Sequence, residues 1–281
     1  VNKMVFNPGL EPGDIITNDK LTDIFGCSSQ GGMRRSKKTN TLVLISNHDI
    51  LNNPYNDRWI GNIFHYTGMG MEGDQSLDFK QNKTLANSKN NPNLGVFLFE
   101  VFEPKKYVYV GEVELADRIY QEKQRDANGI NRNVWIFPLK LKDNYLPPVI
   151  PKETLDDLIS KRENYVKQLT DEELIERAKN SIGLPGERQV TAKQYERNPY
   201  VCELVKRRAK GVCQLCKKEA PFKNKKREPY LETHHIKPLS KEGKDTIDNT
   251  VALCPNCHIR LHVLNDLEDI EKLNINKSDK I

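Results

Sequence analysis

The sequence predicts an α+β protein in three stretches: a β-rich N-terminal part, a helical middle and a small cysteine-bracketed C-terminal part. Three observations carry that reading. Four apolar runs rich in β-branched and aromatic residues, at 41–46, 96–102, 107–115 and 134–141, fall before about Lys142. At Pro147-Pro148 the texture changes to polar segments with apolar residues at helical spacing. Two Cys-x2-Cys pairs, Cys213/Cys216 and Cys254/Cys257, bracket a run near the end of the chain.

Residues 1–145 read as the first domain. Asn, Gly and Pro punctuate its strands and little helix intervenes, which suggests a compact curved sheet or barrel. Residues 146–192 read as a helical connector. Between 154 and 168, Leu155, Leu158, Ile159 and Val166 mark one helix face. A second helix starts at Thr170, whose hydroxyl caps it while Glu173 completes a capping box, and runs to about Ser181. Residues 193–281 read as the last domain. A helix over 199–210 stops at Gly211, two short strands flank His234 and His235, and a helix follows Cys254.

Hydrophobic residues make up 37% of the 281 and charged residues 30%, a soluble globular composition that excludes collagen-like and membrane classes. No apolar run approaches the roughly 20 residues that span a bilayer. Residues 1–16 lack the apolar core of an export signal, so the expected location is the cytoplasm, with no membrane partner. The net charge of +5 is mildly basic and points only weakly to nucleic acid. Its distribution says more. Basic residues flank the first cysteine pair (Lys206, Arg207, Arg208 and Lys210 before it; Lys217, Lys218, Lys223, Lys225, Lys226 and Arg227 after it), and Arg34, Arg35, Lys37 and Lys38 form another cluster. Any one cluster is as readily a solvated face; clusters flanking candidate sites favour phosphate contact.

Each Cys-x2-Cys knuckle can turn two thiolates onto one ion, and two knuckles complete a closed tetrahedral Zn²⁺ site. Disulfides are the competing reading, and a cytoplasmic setting argues against them. Four thiolates leave no open position for water, so the zinc is expected to be structural. Cys27 and Cys202 have no partner pattern and read as ordinary thiols.

Four of the six histidines lie between the knuckles or just beyond them: His234, His235, His258 and His262. His258 and His262 share a helix face at i, i+4. His234 and His235 are neighbours on an expected strand and point to opposite sides. Phosphodiester hydrolysis needs such a division: a metal to stabilise charge on the phosphate, and a neutral histidine to take a proton from water.

The run LETHHIKPLSKEGKDTIDNTVALCPNCHIRLH resembles the HNH (ββα-metal) nuclease motif, and the likeness covers roughly residues 195–265. The doubled histidine and the His-x3-His ending also resemble the nuclease domains of bacterial DNase toxins. The resemblance implies His235 as general base, with His234 and His258, joined by His262, holding a catalytic divalent ion: Mg²⁺, Mn²⁺ or another divalent transition metal. It implies that Asn249 holds the loop that orients His235. Arg260, on the same helix, becomes a phosphate-contact candidate.

YNDRWIGNIFHYTGMGMEGDQSLDFKQNKTLANS, residues 55–88, resembles the SRA domain, a PUA-like reader of modified cytosine. The matching features are Gly61-Asn62, Tyr66-Thr67-Gly68, Gly70 and Asp74-Gln75, and the likeness extends over roughly 8–142. That family flips the modified base into a pocket, at a cost of a few kcal/mol offset by stacking and edge hydrogen bonds. The resemblance places Asp57 against the exocyclic amine of cytosine, Tyr66 on the flipped base, Thr67 beside its edge or 5-substituent, and Tyr55 as another wall, offset by one residue. Only residues 69–73 fill the place of the family's long loop that reads the opposite strand. Arg34 and Arg35, or the loop at 25–30, are the expected substitutes, and Arg34, Arg35 and Lys37 are candidates for the DNA backbone.

Together the two resemblances imply a modification-dependent restriction endonuclease acting on double-stranded DNA that carries 5-methylcytosine or 5-hydroxymethylcytosine. One HNH site cuts one strand, so a homodimer is expected. The alternatives are an HNH nuclease without modification dependence, such as a nicking or repair enzyme, and a reader that does not cut.

Overall fold

The computed structural model describes residues 6–49, 51, 53–179 and 185–275. The chain divides into two compact units, one ending at Ala192 and one beginning at Lys193.

The first unit opens with β1 (Ile15–Ile16), α1 (Asn18–Phe25), β2 (Met33–Ser36) and β3 (Thr41–Asn47). It continues with β4 (Arg58–Ile60), β5 (Ile63–Thr67), α2 (Lys80–Ala86), β6 (Gly95–Glu103), β7 (Lys106–Leu115), β8 (Tyr120–Arg125) and β9 (Asn131–Leu141). Then follow β10 (Ile150–Pro151), α3 (Lys152–Val166), α4 (Asp171–Lys179) and β11 (Val190–Thr191). Strands pair in the order β2-β3-β6-β7-β9-β5-β4, with β1 on β7 and β8 on β9. The β3–β6 ladder is parallel.

Among the described residues no ladder joins β2 to β4, so the predicted barrel is an open nine-stranded sheet. Closure needs an edge-to-edge ladder, and these edges are only four and three residues long. Short edges restrict further pairing.

Both faces of the sheet are covered. Along β3, Leu42 and Leu44 join one apolar cluster with Phe64, Leu98 and Phe137. Val43 and Ile45 join another with Phe97, Phe99 and the α1 residues Leu21 and Phe25. That double burial is why 41–46 reads as a continuous apolar run instead of an alternating one.

The described residues of 150–179 and 185–191 belong to the same unit. Ile150 and Leu158 cluster with Phe102, and β10 runs parallel to β11. The capping box forms: Glu173 N–H donates to Thr170 Oγ1 at 3.3 Å and Thr170 N–H donates to Glu173 Oε2 at 3.1 Å. The predicted helix end at Ser181 lies outside the described residues.

Arg188 is tied to Glu100 of β6, which is 1% exposed. Arg188 donates to both carboxylate oxygens, at 2.8 and 2.5 Å, and the His48 ring lies 2.8 Å away. Burial pushes the Glu100 carboxyl up, but the Arg188 charge and the hydrogen bonds from Arg188 and His48 outweigh it and hold it at about 2. A folded value below the ordinary 4.5 means the stabilisation is complete above that pH and is lost as pH falls toward 2. The total is on the order of 3 kcal/mol. Arg188→Ala strands a buried carboxylate and is expected to cost about 3–5 kcal/mol. Urea unfolding at neutral pH checks this; a loss below about 1 kcal/mol, the ceiling for an exposed pair, contradicts it.

The second unit contains α5 (Pro199–Ala209), β12 (Glu232–His235), β13 (Thr250–Leu253), α6 (Pro255–Leu264) and α7 (Leu267–Ile275). Asn198 caps α5, accepting from Tyr200 N–H at 3.0 Å, with proline in the first turn. The strands β12 and β13 pair antiparallel, and α6 follows directly, so the order is ββα. His234 and His235 lie on β12 itself and not between two strands. The core holds Val201, Val205, Leu253, Leu261 and Leu273.

Candidate active site and binding pocket

The four cysteines come together. The Sγ atoms of Cys213, Cys216, Cys254 and Cys257 all lie within 4.8 Å of one another. The Cys216–Cys254 separation of 3.9 Å is far from a disulfide bond, and all four thiols are free. The first knuckle closes by Lys217 N–H donating to Cys213 O at 3.0 Å, with Lys217 at φ 61°. The second is the start of α6, where Cys254 is the cap residue. Burial pushes the Cys213 thiol up, but amides of Cys254, Cys216 and Leu215 outweigh it and bring it down to about 7. Amides aimed at sulfur favour thiolate at Cys213, the form that binds a metal, while burial and the neighbouring sulfurs push Cys254 and Cys257 up as long as no cation sits among them.

The histidines form a second cluster. Ligand nitrogens of His234 on β12 and of His258 and His262 on α6 lie within 4.8 Å of one another. His258 Nε2 faces His262 Nε2 at 3.1 Å. On its other side, His258 Nδ1 meets Glu232 Oε2 at 2.5 Å, and Glu232 Oε1 accepts from Tyr230 Oη at 3.1 Å. A carboxylate on Nδ1 keeps the proton there and leaves the Nε2 lone pair pointing into the cluster. Burial, then the charges of His262, His258, His235 and Arg197, bring His234 down to about 4. Burial, His258 and Arg197 lower His262. Both imidazoles are therefore neutral at pH 7, as metal ligation requires.

His235 lies beside this cluster. A cleft of about 840 Å³ is lined by His234, His235, His262, Arg197, Lys193 and Ser240 among others. His235 Nε2 lies 2.8 Å from Asp245 Oδ1. Asp245 Oδ2 accepts from Asn198 N–H at 2.5 Å, and the bonds from His235 and Asn198 hold its carboxyl below the usual range. Asn249 is the loop clamp. Its amide donates to Lys237 O at 2.9 Å and Lys244 O at 2.8 Å, and its Oδ1 accepts from Lys237 N–H at 2.9 Å.

Arg260 is placed differently from the expectation. Its Nε donates to Asp269 Oδ2 at 2.8 Å and its Nη2 bonds the same oxygen. Asp269 is 1% exposed and needs that partner, so Arg260 ties α6 to α7 while its side chain stays half exposed.

The first unit holds a cavity of about 690 Å³, within the range of small-ligand sites. Tyr55, Asp57, Tyr66 and Thr67 all line it, with Met71 and Phe79 exposed among the other lining residues. Asp57 is partly buried and accepts from Thr67 N–H at 2.7 Å. Burial raises its carboxyl despite bonds from Thr67 and Ser46. Tyr66 is only 3% exposed, and its hydroxyl donates to Gly32 O at 2.8 Å. Tyr55 is less buried, and the Arg132 guanidinium lies 5.9 Å from its ring centre.

The motif residues around the pocket are its scaffold. Asn82 grips Met69, accepting from its N–H at 2.6 Å and donating to its carbonyl at 3.0 Å. Gln75 donates to Gly68 O at 2.6 Å. A Cβ on Gly68 would sit 2.9 Å from Gln75 Oε1, and Gly70 has φ 128°, so both positions demand glycine.

Arg34 and Arg35 do not reach outward as expected. Arg34 is 4% exposed and donates to Asn18 Oδ1 at 2.7 Å and Gly31 O at 2.9 Å. Arg35 donates to Thr41 O at 3.0 Å and Asn40 Oδ1 at 2.5 Å. The Arg35 bonds close the β2–β3 turn, and the Arg34 bonds tie α1 to the segment before β2, with Arg34 on the wall of the same cavity. In the 25–30 segment Phe25 is in the core and Ser29 O accepts from Asn18, while Ser28, Ser29 and Gln30 are exposed. Lys37 is exposed. Glu232, Asp245 and Arg197 were not singled out from the sequence. Glu232 was detectable, two residues before His234 and so on the same strand face; Arg197 carries no local signal.

Residues 12–163 match the family model described as "ScoMcrA-like, SRA domain", and residues 213–263 match that described as "HNH endonuclease". The fold and its sites thus define an SRA unit joined to an HNH domain. The first match spans more than half of the chain, and the chain belongs to the ScoMcrA-like SRA domain family. It is 43% identical over 99 residues to the Type IV methyl-directed restriction enzyme EcoKMcrA of Escherichia coli (strain K12), covering 34% of this chain and 36% of that one. It is similar to the solved Type IV phosphorothioation-dependent restriction endonuclease ScoMcrA: 19% identity, TM-score 0.39, 96% of this chain and 63% of that one. It is also similar to the modification-dependent TagI restriction endonuclease: 19% identity, TM-score 0.34, 94% of this chain and 82% of that one. The chain spans about a third of its curated relative and less than two thirds of ScoMcrA.

Proposed function

We propose that this protein is a modification-dependent restriction endonuclease of the cytoplasm, which reads 5-methylcytosine or 5-hydroxymethylcytosine in double-stranded DNA and hydrolyses phosphodiester bonds. The observation that carries the reading is the convergence of three mutually facing imidazoles and His235 on one cleft. The four-cysteine cluster suits structural Zn²⁺. Three imidazole donors suit a divalent transition metal such as Zn²⁺, Fe²⁺ or Ni²⁺ better than Mg²⁺, and Mn²⁺ serves as the test ion. A divalent ion bound there supplies charge stabilisation to the phosphate and the leaving oxygen.

His235 takes a proton from water. The water oxygen bonds to phosphorus as the bond to the departing deoxyribose oxygen breaks, and that oxygen takes a proton from solvent. Arg197, on the wall of the same cleft, offers positive charge to the phosphate. One such cleft cuts one strand, so the reading includes a homodimer.

In the first unit, Asp57 accepts from the cytosine amine. Tyr55 stacks on the flipped base with Arg132 behind it, while Tyr66 forms the fixed floor. Asp57→Ala is expected to cost about 1–3 kcal/mol of preference for a modified duplex, roughly 10- to 100-fold, with affinity for unmodified DNA unchanged. Competition binding with duplexes differing at one cytosine tests it, and an unchanged preference rejects the pocket. Because ScoMcrA is described as phosphorothioation-dependent, a phosphorothioate duplex belongs in the competition. Its winning over the methylated one rejects the cytosine reading.

A further inference from the structure

The carboxylate of Asp245 makes two contacts that the general-base reading leaves unused. It meets His235 Nε2 through Oδ1 at 2.8 Å and the Asn198 amide through Oδ2 at 2.5 Å, so each oxygen has its own donor. The His235 side chain is 5% exposed and that of Asp245 22%, so the contact is screened from most water.

Two residues fix Asp245 and the loop that carries it. The cap residue of α5 holds it from one side through Asn198 N–H. Asn249 holds the adjacent carbonyl of Lys244 at 2.8 Å. The same Asn249 clamps Lys237, two residues beyond His235, at 2.9 Å through both its amide and its carbonyl oxygen. The two ends of the loop are therefore pinned by one side chain, and the pin sets the distance between His235 and Asp245.

We propose that Asp245 is the positioning residue of the nuclease site, holding His235 with its proton on Nε2 and its lone pair on Nδ1. This rests on the reading of His235 as general base. A neutral imidazole has two tautomers, and only one presents a basic Nδ1. A carboxylate accepts and cannot donate when ionised, so at Nε2 it selects that tautomer. It also stabilises the imidazolium formed when Nδ1 takes the water proton. Asn249 then acts on His235 through Asp245 and the loop, and not by touching the ring.

Asp245→Asn is the informative variant. Its side-chain oxygen can still accept from Asn198 N–H, while its amide group faces His235 Nε2 as a donor. That reverses the tautomer with little change of shape. The full chain is used, with a 5-methylcytosine duplex and Mn²⁺ under single-turnover conditions. The expected rate loss is on the order of 100-fold or more, with duplex affinity and Mn²⁺ affinity changed less than about threefold. In a His235→Ala background the same substitution is expected to have no further effect, because the group it acts through is gone. A rate near wild type, an equal loss in the His235→Ala background, or a parallel loss of Mn²⁺ binding overturns the proposal.

Nitrogen-15 NMR of His235 in the unsubstituted chain gives a second test that needs no variant to fold. The Nε2–H tautomer is expected, and the Nδ1–H tautomer overturns the proposal. Absence of cleavage by the unsubstituted chain on any duplex rejects the nuclease reading itself and the proposal with it.

Discussion

His235→Ala is expected to lower the single-turnover rate of DNA cleavage roughly 10²- to 10⁴-fold, the usual contribution of a positioned general base. Binding of modified duplex is expected to stay within about threefold of the unsubstituted chain, because the base pocket belongs to the other compact unit. The three imidazoles of the metal cluster are untouched by this change, so Mn²⁺ affinity is the internal control. Gel cleavage on one side and duplex titration on the other check the result. Loss of cleavage together with loss of Mn²⁺ binding assigns His235 to the metal instead, and unchanged cleavage removes it from the chemistry.

Stripping the thiolate site is expected to have the larger effect on folding. The second unit buries a modest core, with Val201, Val205, Leu253, Leu261 and Leu273 as its main aliphatic members. Two of its cysteines lie in the loop just after α5, and two start α6, so one ion would link the segment following the helix whose cap holds Asp245 to the helix that carries His258 and His262. Structural zinc in small domains contributes about 10–16 kcal/mol of apparent binding energy, which exceeds the whole stability of most domains. Chelation, or Cys257→Ala, is therefore expected to unfold the second unit and abolish cleavage, while modified-duplex binding by the first unit persists. Far-ultraviolet dichroism and a duplex titration on the chelated protein check this. Retained helicity and retained cleavage after complete metal removal contradict it.

The parts of this protein that were legible in the sequence are those encoded within a few residues. The Cys-x2-Cys spacing, the His258/His262 helical repeat and the adjacent His234/His235 pair are local geometry, and the structure brings each set together. Thr170 and Glu173 likewise form their box from spacing alone. What failed depends on distant partners. Arg34 and Arg35 are basic residues in a polar stretch, and only the fold reveals Asn18, Asn40 and Thr41 as their acceptors. The Arg260 ion pair was hidden because Asp269, nine residues on, carries no mark of being buried. The open sheet depends on where β2 and β4 end, which periodicity cannot state. Arg188 finds Glu100 across 88 residues. Asp245 stood inside the quoted motif, yet its contact with His235 depends on the loop that Asn249 closes.

The loop at 69–73 illustrates the same point for the pocket. Its shortness suggested that other residues must occupy the space, and basic side chains were the first candidates. The structure turns those arginines inward and leaves Met71 exposed at 59%, between Gly70 and the anchored Asp74. Chain length was readable there; side-chain direction was not.

The most direct test of modification-dependent cleavage compares single-turnover rates on two duplexes of identical sequence, one carrying 5-methylcytosine at a single position, with Mn²⁺ present. Faster cutting of the methylated duplex, by roughly 10-fold or more, is the expected result. Equal rates on the two duplexes would contradict it.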